Sequence, residues 1–160
     1  MSRELAVVAM SADVAVATFR NVVLCHFRLE TPVTCAAMLR EAMKALPPTD
    51  KTVFFGVIET TSVPPNQAAR EAFAKFFEDY SARMAGAIVA IRGTGFRAAM
   101  VRTIASGVLH LLPRFRVPFP KHIVGSLEEA AGHAHRLSPE LDPDALLGAF
   151  RRFSEMAPNQ

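Results

Sequence analysis

The chain has 160 residues, a formal net charge of +3 and 51% hydrophobic residues, a composition typical of one packed domain and not of a disordered chain. No apolar run approaches the ~18 residues that a membrane helix needs, and acidic residues bracket the first apolar run, so we expect neither a transmembrane segment nor a signal peptide. Cys25 and Cys35 are too few for a disulfide framework, so we expect reduced thiols and a cytoplasmic location.

Three short β-strands are predicted near the N-terminus, over residues 5–10, 14–19 and 22–29, with polar turns between them. Because side chains alternate along a strand, Cys25 and His26 point to opposite faces of the third strand. This alternation predicts that Cys25 is a small core residue. It also leaves Cys25 without an adjacent base, so we do not assign it as a nucleophile.

A helix, a buried strand and a second helix are predicted next. Thr31-Pro32 favours a helix start, with an N-cap and a first-turn proline, and apolar residues then recur at helical spacing as far as Leu46. The run 52–58 is almost entirely apolar, as in a central strand that is covered on both faces. The second helix is predicted over residues 66–83. Its core-facing stripe comprises Ala69, Phe73, Phe76, Phe77, Tyr80 and Met84.

Residues 85–124 have the pattern of a βαβ unit. An apolar strand stops at Arg92-Gly93-Thr94-Gly95, and a helix is predicted over residues 95–112. The Pro-rich loop 113–120 then returns the chain to a strand at 121–124. Such a crossover joins parallel strands and is right-handed in nearly all sheets, so the unit predicts an α/β fold.

Two more helices are predicted in the C-terminal part. Ser126-Leu-Glu-Glu129 has the form of a capping box, and Asp142-Pro143 opens the last helix. We predict an α/β domain over residues 1–140 and an amphipathic helix with a loose tail over 141–160. The stripe of that helix is too apolar to stay in water, so it should cover the sheet of its own chain or of a second copy, with a homodimer favoured. The stripe comprises Leu146, Leu147, Phe150 and Phe153.

Positive charge is concentrated in the middle of the chain. Residues 83–127 contain seven Lys or Arg and no Asp or Glu, so this segment carries +7 and the remainder carries −4. Such asymmetry indicates an anionic ligand, an acidic partner or a lipid headgroup on one side of the molecule. A solvated positive face without a partner is the alternative.

Two polar loops, 59–66 and 92–97, should meet at the carboxyl edge of the parallel strands, where ligands collect in α/β sheets. The backbone N–H groups of the Gly-Thr-Gly turn would attract anions, although the glycines could serve only to permit a tight turn. Arg97 falls on the core-facing stripe of its helix, in the first turn, where a positive charge opposes the helix dipole. We therefore predict that Arg97 anchors an anion, the alternative being a stem that lies along the core. The predicted site comprises Arg92, Gly93, Thr94, Gly95 and Arg97, faced by Glu59, Thr60, Thr61 and Ser62.

Other chemistries have weaker support. Aromatic residues near the basic segment are isolated or lie in helix cores, so we expect no nucleic-acid partner. Glu59 has no partner base or oriented nucleophile, which is thin support for catalysis, and we predict no cofactor. The histidines show no metal-ligand spacing, so we predict no metal site. They are His26, His110, His122, His133 and His135.

The order β-β-β-α-β-α-β-α-β-α resembles the STAS domain, the anti-sigma-factor-antagonist fold. The sequence Arg92-Gly-Thr-Gly-Phe-Arg-Ala-Ala-Met-Val-Arg102, with Pro118-Phe-Pro-Lys121 and Gly125-Ser-Leu-Glu-Glu-Ala130, is similar to the bacterial SpoIIAA-like proteins of that class. The likeness covers residues 5–138 in element order and 85–131 in sequence. It implies a single-domain STAS-like fold, with helices packed on a mixed, mostly parallel sheet.

STAS relatives mostly bind a kinase, a transporter or another regulator, or hold a nucleotide or a lipid. The resemblance therefore implies a non-enzymatic regulatory or binding module that engages a protein partner or an anionic ligand. A small-molecule or lipid carrier is the alternative, and an enzyme the third choice. Many relatives carry a phosphorylatable serine in an Asp-Ser-Ser turn. The matching loop here, Glu59-Thr60-Thr61-Ser62, is therefore the candidate phosphorylation or switch loop, although the two prolines that follow keep its hydroxyls further from the next helix.

Overall fold

The computed structural model describes residues 4–95, 98–99, 102–103 and 118–156. Within these residues the chain is an α/β protein with six strands, as the sequence predicts, and with four of the five predicted α-helices. The strands are β1 (Ala6–Met10), β2 (Val14–Phe19), β3 (Val22–Phe27), β4 (Thr52–Ile58), β5 (Met84–Ile91) and β6 (Lys121–Val124). The helices are α1 (Cys35–Ala45), α2 (Gln67–Asp79), α3 (Leu127–Leu137) and α4 (Pro143–Glu155).

All six strands form one sheet in chain order, β1 to β6. The pairings β1–β2 and β2–β3 are antiparallel, because the short turns between these strands leave no room for a crossover. The pairings β3–β4, β4–β5 and β5–β6 are parallel. The sheet is therefore mixed and mostly parallel, as predicted, and β3 is the strand at which the direction of pairing changes.

Helices cover both faces of the sheet. One apolar core contains Cys25 and Phe27 of β3 together with residues of α1 and α2, and the other contains Leu24 together with residues of α3 and α4. Side-chain alternation thus sends successive β3 residues into different cores. His26 lies on the α4 side, where its ring meets Phe150 edge-on at a centroid distance of 5.3 Å. The predicted separation of Cys25 from His26 is confirmed.

The predicted start of α1 is wrong by three residues. The helix begins at Cys35 after Thr34, whose side chain makes no cap hydrogen bond. Thr31 is buried, and the Pro32 carbonyl accepts a hydrogen bond from Cys35 N at 3.0 Å, so these residues form a turn that precedes the helix. A proline's fixed φ suits both a turn and a first helical turn, which is why the sequence signal was ambiguous.

The predicted end of the second helix is also wrong. α2 ends at Asp79, a 3-10 turn follows over Ser81–Arg83, and Met84 is the first residue of β5. Met84 is buried, so its burial was predicted correctly and its helical setting was not. No glycine or proline separates α2 from Met84, and Met84 happens to lie at helical spacing from the buried residues of α2. Periodicity alone therefore cannot show whether Met84 ends a helix or begins a strand.

Three helix starts use the side chains expected of N-caps. Asn66 accepts a hydrogen bond from Ala69 N at 2.9 Å. Ser126 Oγ accepts from Glu129 N at 3.1 Å, and Asp142 Oδ2 accepts from Ala145 N at 3.2 Å. These bonds satisfy N–H groups that have no partner within the helix, so the predicted starts of the last two helices are confirmed.

The apolar stripe of α4 is buried against the sheet of its own chain. Phe150 and Phe153 pack in one core with Leu24 of β3 and Phe55 of β4, and Phe150 is only 1% exposed. The side chains of Leu146 and Leu147 lie in the same core.

None of the helices in the described ranges is long and apolar enough to cross a membrane.

The helix predicted over 95–112 falls mostly outside the described residues. Within it, residues 98–99 and 102–103 are described and are helical. Ala98 is buried, and Ala99 N donates to the Gly95 carbonyl at 3.0 Å.

Candidate functional site

The loops that follow β4 and β5 lie side by side at the carboxyl edge of the sheet. Glu59 N donates to the Phe27 carbonyl, and Arg92 N donates to the Ile58 carbonyl, each at 3.0 Å. These two bonds continue the parallel pairing by one residue beyond each strand. The side chains that directly follow β3, β4 and β5 are thereby brought within reach of one another, as predicted for the parts of these loops that the structure describes.

A buried histidine and a carboxylate form the centre of this edge. His26 Nε2 lies 2.8 Å from Glu59 Oε1. Arg28 Nε donates to His26 Nδ1 at 3.1 Å, and a guanidinium nitrogen can only donate. His26 Nδ1 is therefore the acceptor, and Nε2 carries the proton that is shared with Glu59. Both ring nitrogens are occupied by protein groups.

Arg28 connects this histidine to the end of α4. Its Nη2 lies 3.5 Å from the Ser154 carbonyl and 3.4 Å from the Met156 carbonyl. Carbonyls at the C-terminus of a helix have no partner within the helix, and a cation there is favoured by the helix dipole. Arg28 thus ties the last turn of α4 to β3.

Glu59 also binds the first residue after β5. Arg92 Nη1 donates to Glu59 Oε1 at 3.1 Å, while the Arg92 side chain is 45% exposed. The hydrogen bond from His26, assisted by the charge of Arg92, lowers the pKa of Glu59, although partial burial acts in the opposite direction. Glu59 is therefore a carboxylate near neutral pH. Arg28, His26, Glu59 and Arg92 form a continuous chain of hydrogen bonds, here called the edge network.

The glycines of the Gly-Thr-Gly turn have a structural role. Gly93 has φ 93° and Gly95 has φ 96°, a region that side chains rarely adopt. A Cβ at Gly93 would also collide with the methyl group of Thr60. Gly93 therefore permits close packing of the two loops. Thr94 is exposed in this turn.

The hydroxyls of the loop after β4 are engaged by the chain that follows β3. Thr61 Oγ1 donates to the Arg28 carbonyl at 2.7 Å, and Ser62 Oγ donates to the Leu29 carbonyl at 3.2 Å. Thr61 is exposed, whereas Ser62 is buried. Of these two hydroxyls, Thr61 is thus the one that solvent reaches.

A groove of about 400 Å³ lies beside Arg92 on the α4 side of the sheet. Its walls are the loop after β5, the start of α3 and the last turns of α4. The residues that line it are Arg92, Gly93, Gly125, Ser126, Leu127, Glu128, Phe150, Arg151, Ser154 and Glu155. The groove therefore adjoins the edge network through Arg92 and through α4.

Of the predicted anion site, Arg92, Gly93, Thr94 and Gly95 lie at this edge, next to Glu59 and Thr60. Arg97, the predicted anchor, lies outside the described residues. Arg102 is partly exposed, and its Nη2 lies 3.5 Å from the Gly93 carbonyl.

Sequence reasoning did not assign His26 and Arg28 to the site. The available signal was His26 in the otherwise apolar β3 and Arg28 directly after it, two polar residues that alternate with Cys25 and Phe27. A buried polar side chain in a strand needs a partner, and that requirement could have pointed to the neighbouring strand end.

Metal and thiol chemistry have little basis here. Within the described ranges, no three His, Cys, Asp or Glu side chains are placed to hold a metal ion. The rings of His122 and His133 stack at a centroid distance of 4.2 Å, an arrangement in which in-plane lone pairs do not converge on one ion. Burial raises the pKa of the Cys25 thiol, as does contact with Cys35, so Cys25 is a poor nucleophile.

Comparison with known proteins gives no family assignment. The chain matches no protein-family model, and no curated protein matches it significantly.

Proposed function

We propose that this protein is a non-enzymatic binding module of STAS-like type that takes an anionic ligand, such as a phosphate ester, at the carboxyl edge of its sheet. The proposal includes a regulatory role, in which the ligand or a phosphorylated partner engages the loops after β4 and β5. It rests on the geometry of the edge network, and the STAS-like part rests on the resemblance in element order and sequence.

The observation that carries the proposal is that Arg92 uses only part of its hydrogen-bonding capacity within the described residues. Glu59 accepts one of its hydrogen bonds, and the described residues accept none of the other four that a guanidinium can donate. The side chain is thus oriented by the protein yet still able to bind. A guanidinium fork pairs well with the oxygens of phosphate or carboxylate, and an oriented fork loses less entropy on binding.

The same network argues against acid–base catalysis by His26. A catalytic histidine presents one nitrogen to a carboxylate and the other to the reacting group. In this protein the second nitrogen accepts from Arg28, and the His26 ring is 5% exposed. The histidine therefore serves to hold Glu59, and Glu59 serves to hold Arg92.

The test is the effect of inorganic phosphate on the melting temperature of the parent protein and of Arg92→Gln. At about 100 times Kd a ligand stabilises the native state by about 2.7 kcal/mol, which is about 5–10 °C for a domain of this size. We expect a shift of this order in the parent, and a much smaller shift in Arg92→Gln.

Phosphate also stabilises proteins without binding, so the comparison needs a control with the same loss of charge. Arg20 lies in the β2–β3 turn at the opposite edge of the sheet and has φ 52°, a conformation that asparagine tolerates. Arg20→Asn should retain the shift of the parent. An equal shift in the parent and in Arg92→Gln, at matched ionic strength, would rule out the proposed site.

A further inference from the structure

The charges of the groove beside Arg92 are balanced. Arg92 and Arg151 contribute two positive charges, and Glu128 and Glu155 contribute two negative charges. A groove for a simple anion would be expected to carry an excess of positive charge. The kind of ligand that fits the groove therefore depends on which of these four charges already have a partner within the protein.

Three of the four charged residues that line the groove have a partner of opposite charge within the protein. Glu59 pairs with Arg92 behind the groove, and Arg151 Nη2 lies 3.9 Å from Glu128 Oε1 across its helical wall. Glu155 differs, because no cation of the described ranges lies within ion-pair distance of its carboxylate. Arg28 reaches the neighbouring carbonyls of Ser154 and Met156, but makes no ion pair with Glu155.

The position of Glu155 is also unfavourable for a carboxylate. It is the last residue of α4, and the C-terminal end of a helix carries partial negative charge and favours cations. Among the described residues, the groove therefore has a guanidinium with unused donors at the sheet edge, and a carboxylate without an ion pair at the end of α4. A ligand with one negative and one positive group would complete both.

We infer that the groove takes a zwitterionic phosphate ester, in which the phosphate binds Arg92 and an ammonium group on the same small molecule binds Glu155. This inference rests on the proposed anion site and names its ligand class. A volume of about 400 Å³ is in the range of small-molecule pockets and exceeds what a phosphate alone requires. The same chemistry occurs in free amino-alkyl phosphates and in amine-bearing lipid headgroups.

The experiment compares O-phosphoethanolamine with ethyl phosphate, which lacks the ammonium group, in titrations followed by melting temperature. An exposed ammonium–carboxylate pair should make the apparent Kd of O-phosphoethanolamine about two- to fivefold lower. Glu155→Gln should make the two apparent Kd values equal. The matched control is Glu140→Gln, which neutralises an exposed carboxylate before the start of α4. Glu140 follows Ser138, which binds Asn21 in the β2–β3 turn at the opposite edge of the sheet. It should retain the preference.

The outcomes separate this inference from the proposed function. If both esters bind equally and Arg92→Gln weakens both, the anion site stands and the zwitterion is wrong. If neither ester nor phosphate shifts the melting temperature, both proposals fail. If the preference exists, flotation with phosphatidylcholine vesicles, with and without phosphatidylethanolamine, identifies the source: binding only to vesicles with phosphatidylethanolamine indicates the lipid headgroup, and no vesicle binding indicates a free ester.

Discussion

His26 Nε2 and Glu59 Oε1 lie 2.8 Å apart, and this contact joins β3 to the first residue after β4, two positions beyond Val57, the register partner of His26. The acceptor role of His26 Nδ1 fixes the proton on Nε2, so the histidine is a donor to Glu59. This hydrogen bond orients the Glu59 carboxylate, whose Oε1 also accepts the hydrogen bond from Arg92.

The bond between His26 and Glu59 should be measurable as a coupling energy. We predict that His26→Phe and Glu59→Gln each destabilise the protein by about 1–3 kcal/mol. His26→Phe leaves Glu59 without its buried donor, and Glu59→Gln removes the negative charge that strengthens the bonds from His26 and Arg92. The double variant should lose less than the sum, with a coupling of about 0.5–3 kcal/mol. Urea denaturation of the four proteins measures this, and losses that add within experimental error would contradict the coupling.

Glu59 should also make the stability of the protein depend on pH in the acid range. The folded protein holds the pKa of Glu59 below its ordinary value, so the unfolded chain binds more protons as the pH falls. The stabilisation is present above about pH 4.3, the ordinary carboxyl value, and is lost as the pH falls through the lower folded pKa. The stability difference between the parent and Glu59→Gln, followed by urea denaturation at successive pH values, should shrink on acidification. A difference that is constant between neutral pH and pH 3 would refute this role.

The close approach of β5 and α3 at Gly86 gives a prediction with a matched control. A Cβ on Gly86 would lie 2.5 Å from Leu137 Cδ1 and 3.1 Å from the Pro120 carbonyl oxygen. Gly86→Ala should therefore cost about 1–3 kcal/mol through overpacking. Gly132, inside α3, has open space at this position, so Gly132→Ala should stabilise the protein by up to about 1 kcal/mol. Thermal unfolding of both variants checks the opposite signs, and two shifts of the same sign would contradict this account.

Removal of α4 should expose one face of the sheet. The helix buries Phe150 and Phe153 against β3 and β4, and Leu24 and Phe55 would lose that cover. We expect a chain without residues 141–160 to aggregate or to change its oligomeric state, since large exposed apolar patches promote association. Light scattering measures the outcome. A truncated chain with the same association state and melting temperature as the parent would contradict the packing role of α4.

The sequence predicted the fold where local signals were strong. Alternation placed Cys25 and His26 on opposite faces of β3, and the caps at Ser126 and Asp142 marked two helix starts. The boundaries at Cys35 and Met84 were missed because a proline turn and a chance continuation of helical spacing imitate helix signals.

The candidate site was predicted as two loops at one edge but not as a network. Parallel pairing follows from the βαβ pattern, and it places Glu59 next to Arg92. The partner of Glu59 on the other side, His26, is distant in sequence, and no local pattern says which buried polar groups will meet. Arg28 was equally difficult to assign, because two of its partners are carbonyls at the end of α4. Every residue has a backbone carbonyl, so the sequence does not show which carbonyls will accept a hydrogen bond.

The change of pairing direction at β3 has a consequence for the order of folding. Strands β1 to β3 are joined by short turns, so their pairing closes only small loops, whereas Val22 of β3 pairs with Val53 of β4 after a whole helix has intervened. Closing the longer loops costs more chain entropy before contacts are gained, so the antiparallel strands should form first and provide the edge on which the parallel strands assemble. Amide groups of β2 should then become protected from exchange earlier during refolding than those of β5. Pulse-labelled hydrogen exchange measures this order, and earlier protection of β5 would contradict it.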